Sequence, residues 1–110
     1  MLTVTFYRDD GDRLSGLFAR GHTEFDEHGQ DIVCAAVSAI LLGARLGLER
    51  HAGIEVAARQ EAGELDIRWG ERERDLESVR AIVATAELAV AQIASRFPDH
   101  VRLKHERVTT

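Results

Sequence analysis

The chain has 110 residues, 45% of them apolar, and no proline- or serine-rich tract that could act as a linker, which bounds it to one domain over residues 1–110 with one core. Nineteen acidic residues against 14 lysines and arginines give a net charge of −5, which argues against a nucleic-acid surface and is compatible with a basic protein partner. A single cysteine excludes an intrachain disulfide, the start MLTVTFYRDD lacks a secretory pattern, and no unbroken apolar run approaches the roughly 20 residues of a bilayer span, so a soluble cytoplasmic protein without a membrane partner is expected.

In chain order, Leu2, Val4 and Phe6 alternate with Thr3, Thr5 and Tyr7, and after the turn-forming DDGD a second extended run, RLSGLFAR, completes a predicted β-hairpin. From Asp31 to about Arg50, apolar residues from Ile32 to Leu48 recur at helical spacing. The segments GIEVAARQ and ELDIRWG flank EAG and predict a second hairpin, with Leu65, Ile67 and Trp69 on one face. A second helix is expected from about Arg74 to Phe97, stopped by Pro98, its charged start ERERDLESVR read as a solvated face. The alternation of Val101 and Leu103 with Arg102 and Lys104 predicts a short closing strand. The order is therefore ββα-ββα-β, an α+β domain with two helices packed on a largely antiparallel sheet.

The stretch GHTEFDEHGQDIVCAAVSAI carries the chemistry. Asp31 stands immediately before the first helical periodicity and is placed as an N-cap, its carboxylate accepting from the amide of Val33 or Cys34. Cys34 then falls in the first helical turn, where the helix dipole and unpaired amides favour thiolate over thiol. The same amides could face the oxyanion formed when the sulfur attacks a carbonyl. A base is required, and either His22, at the end of the second strand, or His28, in the polar loop, could fold back to the sulfur. His22, Asp26, His28 and Cys34 could together supply four zinc ligands, but the close ligand pairs of structural zinc sites are absent, so neither a metal nor a cofactor is expected. Ser38 lies one turn after Cys34 on the same helix face, where it could bond the backbone or line a cleft.

The dipeptide Gly21-His22 after the second strand, the intervening loop, and DIVCAAVSA opening a long helix resemble the ribosomal-processing cysteine protease family called Prp. The resemblance implies a small homodimeric cysteine endopeptidase that removes a short amino-terminal extension from a large-subunit ribosomal protein. It places the catalytic histidine at His22 and the nucleophile at Cys34, with Gly21 and Ser38 beside the cleft and Asp31 as the supporting cap. The acidic pair Asp26 and Glu27 departs from the glycine- and histidine-rich loop usual in the family.

Apart from that resemblance, Cys34 on an alanine-rich helix reads as a small core hydrophobe, since free cysteine is among the most buried residue types. His22 alone reads as a strand-end surface residue, and His51, His100 and His105 have no motif around them. The competing functional expectation is a non-catalytic ribosome-assembly or protein-binding module with the same fold and an unreactive Cys34.

Overall fold

Strand β1 (Leu2–Arg8) pairs antiparallel with β2 (Leu14–Gly21), from Leu2 opposite Gly21 to Phe6 opposite Leu17, with one irregularity after Tyr7. Helix α1 (Ile32–Leu46) follows, prolonged by a five-residue π-turn over Gly47–His51, then the hairpin β3 (Ala57–Glu61) and β4 (Glu64–Arg68), helix α2 (Glu77–Arg96) and strand β5 (Val101–Arg107). This computed structural model describes residues 1–22, 26–27 and 31–109. The strands form one sheet in the order β3-β4-β2-β1-β5, antiparallel except where β5 runs parallel to β1 with Val101 opposite Leu2. The architecture is the expected α+β arrangement of two helices on a mixed, mostly antiparallel five-stranded sheet.

Alternation in the strands and helical spacing in the helices converge on one core. Leu2, Val4 and Phe6 of β1, Leu17 and Ala19 of β2, and Leu65 and Ile67 of β4 meet Val33, Val37 and Leu41 of α1 and Val79, Val83 and Val90 of α2. Fully burying one such side chain contributes about 1.5–3 kcal/mol, so these stripes hold both helices to one face of the sheet. By length and composition the segments Ile32–His51 and Glu77–Arg96 could each cross a bilayer, which the unbroken-run criterion overlooked. Each lays a buried stripe against this sheet, as a core helix that meets the same test would.

One expectation fails at the start of α2. The run ERERDLESVR is not uniformly a solvated helix face: residues Glu71–Glu73 form a 3₁₀ turn, and the helix begins only at Glu77. Arg74 turns inward and is buried, donating from its guanidinium to Asp9 Oδ2 at 2.9 Å and to the Trp69 carbonyl at 3.3 Å. Asp9 closes the β1–β2 turn by accepting from the amides of Gly11 and Arg13, and Arg107 of β5 donates to its carbonyl. The reason is charge pairing over a distance of 65 residues, which local periodicity does not register. The Arg13 amide, then the Arg74 and Arg13 guanidiniums, hold the Asp9 carboxyl down at about 2, against the opposing effect of burial.

The topology sets where chemistry can occur. Because β3 and β2 are each antiparallel to β4, they run parallel to each other, and their carboxyl ends lie at the same end of the sheet. The β3–β4 turn therefore meets the end of β2, the place where the chain leaves for α1.

Candidate active site

Gly21 ends β2 with φ +102, in the left-handed region, and a Cβ there would collide with the Met1 carbonyl oxygen. Its amide donates to the Gly63 carbonyl in the β3–β4 turn at 2.9 Å. The backbone thus turns at Gly21 and delivers His22, a solvent-exposed residue, over that turn: a Cβ on Gly63 would stand 3.2 Å from His22 Nε2.

On the opposite side, Asp31 caps α1 as its residue type and position require. Its Oδ1 accepts from the Cys34 amide at 2.9 Å, and its carbonyl accepts from Ala35 at 3.0 Å. Cys34 is the third residue of α1, half-buried and free of any disulfide. The cap narrows the expectation about oxyanion donors, because the amides of Cys34 and Ala35 are already bonded to Asp31. No acidic side chain follows in the first turn, so beyond the cap itself nothing there offsets the positive helix end.

Between these two sides lies a cavity of about 240 Å³ whose wall includes His22, Cys34, Ser38 and Gly21. Leu2, Ala19, Val37, Leu41 and Leu65 give it an apolar lining, while Gln60, Glu61 and Glu64 come from the β3–β4 hairpin. Glu61 is paired with Arg59 at 3.1 Å and Glu64 with Arg20 at 3.4 Å, so the carboxylates at the rim are already ion-paired. Ser38, exposed and one turn beyond Cys34, shares the same cavity wall. An imidazole and a thiol facing one apolar cleft, with the thiol at a capped helix start, is an arrangement able to perform nucleophilic attack on a carbonyl held between them.

Asp26 and Glu27 are exposed, with the Glu27 amide donating to Asp26 Oδ1 at 2.8 Å. His28, the competing base and one of the four zinc candidates, lies outside the described residues, as do residues 23–25, 29 and 30 of the loop. Among the described residues no group of three or more His, Cys, Asp or Glu side chains is placed to hold a metal ion. The contribution of the β3–β4 hairpin to the cleft leaves no mark in the sequence, because only the strand order, with β4 beside β2, brings Gln60, Glu61, Gly63, Glu64 and Leu65 to the cavity that Cys34 lines.

Known proteins share this pattern. The protein named ribosomal processing cysteine protease Prp from Staphylococcus aureus is 27% identical over 109 residues, covering 96% of this chain and all of that one. The protein of the same name from Bacillus subtilis is 38% identical over 55 residues, half of this chain and 49% of that protein. A crystal structure from Streptococcus mutans superposes with a TM-score of 0.83 at 28% identity, covering 98% of this chain and 96% of that one. The crystal structure of the S. aureus processing protease with a covalently linked product peptide gives a TM-score of 0.84 at 23% identity, covering 96% and 99%, a likeness of fold. The family model described as cysteine protease Prp matches residues 1–102, and on that match the chain belongs to the Prp family of cysteine proteases.

Proposed function

We propose that the protein is an endopeptidase that removes a short amino-terminal extension from a large-subunit ribosomal protein, with Cys34 as nucleophile and His22 as its base. The observation that carries this reading is the single cavity whose wall holds both side chains above an apolar lining. The names of the S. aureus and B. subtilis relatives, and the crystallisation of the S. aureus protein with a substrate peptide, support the choice of substrate class.

In the reaction, His22 takes the Cys34 proton and the thiolate attacks the scissile carbonyl, forming a C–S bond while the carbonyl electron pair moves to oxygen. Collapse of that oxyanion breaks the C–N bond, and the His22 imidazolium protonates the departing amine. Water, deprotonated by His22, then attacks the thioester, the C–S bond breaks, and the carboxylate product leaves the restored thiol. Asp31 acts through the helix rather than on the substrate, by fixing the Cys34 backbone. The apolar lining suits a bulky side chain next to the scissile bond, and β3, which edges the sheet beside the cleft, offers backbone groups to an extended peptide.

The protein acts in the cytoplasm, where ribosomal proteins are assembled, and as a homodimer. An apolar groove of about 440 Å³ between α1 and α2, floored by Ala39, Gly43, Ala81 and Ala89, supports the dimer, as does the exposure of Leu46 and Leu88. Light scattering tests it, a monomer mass contradicting the dimer. Mass spectrometry of the cognate ribosomal protein incubated with wild type and Cys34→Ala tests the activity, the variant being expected to leave the extension in place.

A further inference from the structure

We propose that Gly63, in the turn between β3 and β4, is a positioning residue for the histidine, a role that rests on reading His22 as the base. Two independent contacts converge on it. Its carbonyl accepts the amide of Gly21 at 2.9 Å, which fixes the backbone one residue before His22. Its missing side chain leaves the space the imidazole occupies: an added Cβ would stand 3.2 Å from Nε2 and 3.6 Å from Cε1. A contact of 3.2 Å is tighter than nine in ten real Cβ contacts, so the ring has to give by a few tenths of an ångström, and it falls on a nitrogen of the imidazole.

The hairpin turn is thus the seat of the base: the Gly63 carbonyl holds the backbone of Gly21, the residue before His22, and the bare Cα of Gly63 leaves room for the ring. A substrate that engages Glu61 or Leu65 on the same hairpin presses on the element that sets the imidazole position. Gly63 is glycine for two reasons that separate experimentally. Its φ of +77 disfavours any L side chain, and an added Cβ would push the imidazole aside by a few tenths of an ångström. Gly53 supplies the control: its φ is +68, and an added Cβ there meets nothing within 4 Å. An alanine at Gly53 therefore carries the backbone penalty without touching the histidine.

The test compares Gly63→Ala, Gly53→Ala and His22→Ala, with Gly63→Asn as the variant that tolerates a left-handed backbone while keeping the Cβ. Displacement of a reacting group by a fraction of an ångström is expected to lower kcat about tenfold or more in both Gly63 variants, with KM changed less than about twofold. Gly53→Ala should keep kcat within about twofold of wild type while losing comparable thermal stability. Iodoacetamide alkylation of Cys34 across about pH 5–9 reads the dyad without substrate. The Gly63 profiles should move toward that of His22→Ala, and the Gly53 profile should stay on wild type. Wild-type kcat and alkylation in folded Gly63→Asn overturn the proposal, as does an equal kcat loss in Gly53→Ala. Full activity in His22→Ala overturns the reading of the base itself, a result distinct from either.

Discussion

The carboxylate of Asp31 accepts the backbone amide of Cys34 at 2.9 Å, so the residue that starts α1 also fixes the residue that bears the thiol. Losing this bond frays the first turn and lets the sulfur wander relative to the cleft. Asp31→Ala is expected to cost about 0.5–2 kcal/mol of stability and to lower peptidase activity, while Asp31→Asn and Asp31→Ser keep most of both. Chemical denaturation paired with a cleavage assay checks this, and full activity in a destabilised Asp31→Ala would separate the cap from catalysis.

Gly21 admits no side chain, because φ is +102 and the Met1 carbonyl oxygen occupies the position of a Cβ. Gly21→Ala should therefore fall in stability by more than the roughly 1 kcal/mol typical of an unfavourable backbone alone. It should also displace His22, the next residue, so activity is expected to fall further than the folded fraction does. Thermal melts and cleavage rates at a temperature where the variant is fully folded distinguish the two losses.

The buried carboxylate of Asp9 predicts an acid limit to stability. Its pKa is held at about 2, below the ordinary 3.8, first by the Arg13 amide and then by the Arg74 and Arg13 guanidiniums. A carboxyl whose folded value is depressed stabilises the fold above its unfolded value and loses that stabilisation as pH falls through its folded value. The stability gap between wild type and Asp9→Asn should be constant above about pH 4–5 and narrow progressively toward pH 2. Urea midpoints across that window measure it, and a gap that persists unchanged at pH 2 contradicts the assignment.

Both helices and four of the strands are legible in the sequence because their apolar residues keep the period of their elements, as Val33, Val37 and Leu41 do in α1, whereas β3 begins only at Ala57, past the Ile54 and Val56 that suggested it, and is a largely exposed edge strand. The cap at Asp31 is legible for a local reason too, a short carboxylate standing directly before the periodicity, whereas the left-handed turn at Gly21 is not. The inward turn of Arg74 is not, because its partner Asp9 is 65 residues away and a charged run looks the same whether solvated or folded inward. Nor is the hairpin wall of the cleft, since Gly63 meets His22 only through a sheet order in which β4 lies beside β2 rather than β1. Pairing between distant strands leaves no periodic mark on either strand.

The most direct measurement is the cleavage of the extended ribosomal protein by wild type, Cys34→Ala and His22→Ala, followed by intact-mass spectrometry. The dyad predicts removal of the extension by wild type, none by Cys34→Ala, and a rate lowered by roughly 10²–10⁴-fold in His22→Ala. Processing by Cys34→Ala at the wild-type rate would contradict the assignment of the nucleophile and with it the proposed mechanism.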